Sequence, residues 1–108
     1  MSGCIVVTVT TPSEAVAAAI AETAITERLA ACAQVEGPIR STFRWQGQVD
    51  HATEWYCHLK TTADRFAALA DRVRALHPYE VPEIIAVPIS LASESYAGWI
   101  RREVSGPR

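Results

Sequence analysis

The chain has 108 residues, 49% hydrophobic and 20% charged, with ten basic against twelve acidic side chains for a formal net charge of −2. Such a length supports one core without disulfide or metal staples and excludes two domains, so residues 1–108 are read as a single domain. The balanced charge excludes a broad electrostatic footprint, and neither nucleic acid nor a membrane is expected as a partner.

The run Cys4–Thr10 (CIVVTVT) is β-branched and predicts a first strand. Thr11-Pro12-Ser13-Glu14 then reads as a capping box, with Thr11 at N-cap and Pro12 at the first helical position. The helix is predicted from Pro12 to about Ala31, one-sided through Val16, Ile20, Ala24, Ile25 and Leu29. Ala33–Val35 begins a second strand, Gly37-Pro38 interrupts it, and Ile39–Trp45 continues it past a bulge or bend. Trp45-Gln46-Gly47-Gln48 reads as a hairpin turn.

In Glu54–Thr61 (EWYCHLKT), Trp55, Cys57 and Leu59 alternate with Glu54, Tyr56, His58 and Lys60, which predicts a third strand whose first face meets helices. Thr62 is placed to cap a second helix carrying the stripe Phe66, Leu69, Ala70, Val73 and Leu76, and Pro78 ends it. Glu83–Ile89 (EIIAVPI) is the fourth strand, with Pro88 near its end. A last short helix opens at Ser93 or Ser95 and presents Tyr96, Trp99 and Ile100.

The predicted order is β-α-β-β-α-β with a terminal helix. It gives an α+β, ferredoxin-like fold: an antiparallel four-stranded sheet with two helices on one face and a short C-terminal helix. The other sheet face is expected to be uncovered, and its aromatic content points to burial against another chain.

Large side chains must supply most of the core, because 18 of the residues are Ala. No apolar stretch approaches the roughly 20 residues of a membrane span, and no basic n-region precedes an apolar run. Cys4, Cys32 and Cys57 form no CxxC, an unpaired set that suits a reducing, cytoplasmic setting, and each reads first as a small buried hydrophobe.

Three uses of this topology are excluded by residue. EWYCHLKT lacks the stacking pattern of an RNA-recognition strand. The loop Thr10-Thr11-Pro12-Ser13 holds neither the paired thiolates of a soft-metal chaperone nor the Arg of an acylphosphatase-like anion cradle. His77-Pro78-Tyr79-Glu80-Val81-Pro82-Glu83 is the densest run of chemically capable side chains, on a backbone stiffened by two prolines. His77 there also suits the C-terminus of a helix, and Tyr79 a lid on the core.

Glu27-Arg28-Leu29-Ala30-Ala31-Cys32-Ala33, Arg44-Trp45-Gln46-Gly47, Leu59-Lys60-Thr61, the His77 to Ile84 run and the closing Tyr96-x-x-Trp99-Ile100 together resemble the CutA family of divalent-cation tolerance proteins. The likeness spans about Cys4 to Glu103, and HPYEVPEI is its most specific piece. It implies a homotrimer with sheets packed around a three-fold axis and long hairpins reaching a neighbour. It also implies a role in tolerance to divalent metal ions, copper above all, with a metal or small anionic effector bound in clefts between subunits.

Carried over by position, Cys32, His77 and Glu80 are the implied metal ligands, and Trp45, Lys60, Tyr79 and Trp99 the implied cleft residues. Copper ligation proposed in the family leans on cysteines, and Cys32 is the one thiol here inside a shared motif, since Val9 and Arg72 offer none. One thiolate with scattered imidazoles does not close a transition-metal shell, so a metal site here is an interface site. Lys60 also reads as a solvated strand edge or an interchain ion pair, Trp45 and Trp99 as packing anchors, and His51 and His58 as surface or interface residues matching no motif. A stable trimeric scaffold acting through protein contacts is the alternative. An enzyme using His77, Tyr79 and Glu80 ranks last, because no local motif sets a nucleophile beside a base.

Overall fold

A computed structural model of the chain describes residues 3–106. Its elements run β1 (Cys4–Thr11), α1 (Glu14–Thr26), β2 (Cys32–Trp45), β3 (Gln48–Thr62), a 3-10 turn (Ala63–Arg65), α2 (Phe66–Leu76), β4 (Ile84–Pro88) and α3 (Glu94–Val104). The strands form one sheet in the order β2-β3-β1-β4, and every neighbouring pair is antiparallel. This is the ferredoxin-like arrangement expected from the order of elements.

The alternation of the third strand holds. Cys57 and Leu59 are fully buried with Val7 and Val9 of β1 and with Ile20, Leu29, Leu69 and Val73 from the helix side, and Trp55 packs against that cluster. Each fully buried Leu or Ile in this layer contributes roughly 1.5–3 kcal/mol by leaving water. The register pairs Val7 with Leu59 and Val9 with Cys57, so the apolar faces of the two central strands coincide.

The opposite face is only partly open, which corrects the expectation that it is uncovered. Cys4 has the parity of that face, and α3 lies over it through Ala97 and Ile100, with Ile89 and Trp99 packed around them. Beyond α3 the face continues uncovered through Val6 and Thr8, Gln34 and Glu36, Tyr56, His58 and Lys60, and Ile85 and Val87.

The first helix is shorter than predicted at both ends. Ser13, not Thr11, is its N-cap: the Ser13 Oγ accepts from the Val16 amide at 3.1 Å, while the buried Thr11 stays in β1 with its hydroxyl turned to the Ser13 and Trp55 carbonyls. At the other end Arg28 adopts φ 57°, and the Leu29 and Ala30 amides both reach back to the Ala24 carbonyl. A left-handed residue there turns the chain so that Leu29 and Ala30 enter the core. Cys32 consequently opens β2 and does not end a helix.

Two further boundaries differ. The third strand begins at Gln48, six residues before the predicted Glu54, because the whole of Ile39–Trp45 finds partners in Gln48–Glu54. Thr62 makes no side-chain cap; it ends β3, and a 3-10 turn intervenes before α2. The bulge falls where Gly37-Pro38 predicts it, as a register shift between Glu36 and Ile39. Gly37 is required there, because a Cβ would overlap the Trp55 indole.

Candidate ligand and metal site

Cys32 stands at the rim of the open face, directly opposite Lys60 across the β2–β3 ladder. The Tyr96 phenol of α3 lies beside the Cys32 sulfur, and burial followed by that thiol pushes its ionisation upward. Lys60 Nζ donates to Gln34 Oε1 at 2.5 Å. Trp99 packs against the small cluster under α3 and meets the Tyr96 ring at 5.4 Å between centroids. One end of the open face thus gathers Cys32, Lys60 and Trp99, with Tyr96 added by the structure.

His77 lies elsewhere. It caps α2 with extended backbone, and its buried ring is fixed from both sides: Nε2 donates to the Thr10 carbonyl at 2.7 Å, and Nδ1 accepts from the Tyr79 amide at 3.1 Å. Those two bonds specify one neutral tautomer, so His77 does not serve as a cation at the helix end. The Tyr79 ring lies against it, tilted by 48° with centroids 4.7 Å apart, and donates its hydroxyl to the buried Glu54 carboxylate at 2.7 Å, which corrects the expectation of a lid on the core. Burial and the Glu54 carboxylate raise the Tyr79 phenol to about 12. Glu80 is exposed on the same loop, and Trp45 is exposed at the hairpin tip.

The implied residues are therefore not assembled within one chain. Val6 is two strands from Cys32 in register, and Thr10, which holds His77, is four residues further along β1, roughly 13 Å of strand. Among the described residues no group of three or more His, Cys, Asp or Glu side chains is placed to hold a metal ion. One chain's donors do not fit a resident divalent ion, and both ring nitrogens of His77 are already engaged. The same engagement leaves His77 no free nitrogen for acid–base work.

A second constellation was not singled out in the sequence. His58 Nε2 lies 2.9 Å from Glu36 Oε1, its Nδ1 lies 3.2 Å from Thr8 Oγ1, and Tyr56 lies beside the ring at 5.0 Å. The signal was present in the parity of His58 on β3. It becomes legible only with the β2–β3 register that brings Glu36 alongside.

The fold is shared with solved structures. The divalent cation tolerance protein CutA1 from Thermus thermophilus superposes with a TM-score of 0.91 at 45% identity, covering 93% of this chain and 97% of that one. The periplasmic divalent cation tolerance protein CutA from Archaeoglobus fulgidus gives 0.91 at 35% identity, covering 94% and 99%. In sequence, the Thermus divalent-cation tolerance protein CutA is 47% identical over 96 residues, 89% of this chain and 93% of that protein. Human Protein CutA is 39% identical over 94 residues, and the match spans only 52% of its length. None of these names carries an enzymatic activity. Residues 5–103 match the family described as CutA1 divalent ion tolerance protein, and the chain belongs to that family.

Proposed function

We propose that the protein is a cytoplasmic homotrimer that acts in tolerance to divalent metal ions, copper especially, by binding rather than by catalysis. The observation that carries this reading is the half-covered sheet: α3 shields one end, and the rest presents Ile85 and Val87, 51% and 56% exposed, with β1 between them and the polar file of β3 that includes Lys60. Apolar side chains on a sheet face favour burial against another surface. Copies of the chain are the occupant that the family's resemblance implies, and closing a ring gives each copy the same neighbour.

The ligand site then lies in clefts between copies. Cys32, with Tyr96 and Lys60 around it, is the donor nearest the shared face; a soft divalent ion would take the thiolate, and a small anion the Lys60 ammonium. Glu80, exposed on its loop, is free to meet a neighbour, whereas His77 would have to release the Thr10 carbonyl to ligate. Trp45 at the hairpin tip reaches such a cleft only from an adjacent copy, and Tyr79 and Trp99 supply its walls. The scaffold reading is favoured by one observation, the lack of any three-ligand group among the described residues.

Native mass spectrometry of the purified protein with stoichiometric Cu²⁺, Zn²⁺ and a nucleotide panel separates the two. A trimer that gains metal or anion mass, and loses it in Cys32→Ser or Lys60→Ala, supports the binding reading. A trimer that gains nothing supports the scaffold.

A further inference from the structure

Two of the three thiols lie under one helix. Cys4 opens β1 and Cys32 opens β2; the two strands flank β3, and both side chains belong to the sheet face away from α1 and α2. Consecutive residues of α3 meet them: the Ala97 carbonyl accepts from the Cys4 sulfur at 3.9 Å, and the Tyr96 phenol lies beside the Cys32 sulfur. Cys57 belongs to the other face and is buried in the core between sheet and helices.

The apolar contact that holds α3 is small and separate from that core. It consists of Cys4, Ala97 and Ile100 with Ala31, Ile89 and Trp99 packed around them, whereas the main core joins β1, β3, α1 and α2 through Val7, Leu59, Ile20, Leu69 and Val73. Ile100 is the largest side chain that α3 buries fully. Its eleven residues fall short of the roughly 12–15 that a helix needs to persist alone in water, so α3 stays helical by being docked. Releasing it breaks no strand pairing, because β4 pairs with β1 over Ile84–Pro88, before α3 begins.

The far end of α3 is tied from outside. Arg28 Nη1 donates to the Glu103 carbonyl at 2.9 Å, and Arg65 Nη2 to the Gly106 carbonyl at 3.2 Å. Both guanidiniums sit where a helix C-terminus favours positive charge. Arg28 makes its bond from a left-handed backbone, φ 57°, a conformation that glycine adopts more readily. Arginine at that turn adds what glycine cannot, a bond from the end of α1 to α3.

We propose that α3 opens as a unit while the main core stays folded, and that this opening governs access to the Cys4 and Cys32 thiols. Openings of this kind cost less than global unfolding and occur where few apolar side chains are buried. Cys4, 2% exposed, is reached by releasing α3; Cys57, 0% exposed, is reached only when sheet and helices part. Cys32 is also the donor in the ligand site proposed above, so α3 sets access to it. The inference concerns access alone and does not depend on what that site holds or on the number of copies in the assembly.

The test is alkylation of the native protein by iodoacetamide, in which each thiolate displaces iodide, with the three cysteines resolved by peptide mass spectrometry. Each rate is divided by that of the same thiol in the guanidinium-unfolded chain. On this scale Cys4 is expected to react at least about tenfold faster than Cys57. Val73→Ala, in the main core, is expected to speed Cys57 by about tenfold and to leave Cys4 unchanged, because it does not alter the docking of α3. Arg28→Gly, which keeps the turn and removes the tie, is expected to speed Cys4 by about threefold to tenfold, and Ile100→Ala by about tenfold or more. Equal corrected rates for Cys4 and Cys57, or a Val73→Ala change that speeds both alike, overturns the inference. So does a Cys4 rate that neither Arg28→Gly nor Ile100→Ala moves.

Discussion

The Tyr79 hydroxyl donates to a carboxylate, that of Glu54, which is buried on the sheet. The bond ties the loop after α2 to β3, and His77 ties the same loop to β1 through the Thr10 carbonyl. The most specific run in the sequence is thus held to both central strands. Tyr79→Phe leaves the Glu54 carboxylate buried without its donor and is expected to cost roughly 1–3 kcal/mol of stability. Urea denaturation checks this, and a loss within experimental error would show that the bond does not hold the loop.

Alkaline pH acts on the same contact and on the core. The Tyr79 phenol is raised from 10 to about 12 by burial and by Glu54, and the Cys57 thiol from 9 to about 12 by burial alone. Both groups bind protons more tightly folded than unfolded, so their stabilisation is complete below the unfolded values and falls as pH rises from 9 towards 12. Thermal denaturation across that interval is expected to show the decline, and Cys57→Ala to reduce it. Native Cys57 is expected to react with a thiol reagent only on unfolding.

Gly37 and Trp55 are in contact at the bulge of β2. Gly37→Ala forces the indole or the strand to move and is expected to destabilise the protein by roughly 1–3 kcal/mol. Pairing it with Trp55→Leu, which vacates space, is expected to recover part of that loss in a double-mutant cycle. Additive effects of the two changes would contradict the contact.

The cap of α1 gives a test of the observed boundary against the predicted one. Ser13→Ala removes the acceptor for the Val16 amide and is expected to cost about 1 kcal/mol. Thr11→Val leaves that cap intact and exchanges the buried hydroxyl, turned to the Ser13 and Trp55 carbonyls, for a methyl. Circular dichroism of α1 is therefore expected to respond to Ser13→Ala and not to Thr11→Val. The reverse outcome would restore Thr11 as the cap.

What the sequence made legible was what local periodicity encodes. The alternation of Trp55, Cys57 and Leu59 fixes which side of β3 meets the helices, and the Leu69–Val73 spacing does the same for α2. The end of α1 was not legible, because Leu29 and Ala30 continue an apolar pattern, and the turn that stops the helix is made by Arg28 rather than by a glycine. Residues 48–53 carry no strong alternation, so only their pairing with β2 reveals them as strand.

The candidate site was legible as a set of residues but not as a geometry. Cys32 and Tyr96 meet only because α3 folds back over the end of the sheet, and His77 turns inward to a backbone carbonyl that no motif announces. His58 and Glu36 are brought together by strand register alone.

In the proposed trimer, copies of this chain cover the open sheet face, and that arrangement is open to direct test. It is tested most directly by sedimentation velocity of the wild type beside Val87→Lys, which places a charge on that face, and Ala18→Lys, which places one on the exposed side of α1. A trimer is expected for the wild type and Ala18→Lys, and dissociation for Val87→Lys. A wild-type monomer, or a Val87→Lys protein that sediments as the same trimer, would contradict it.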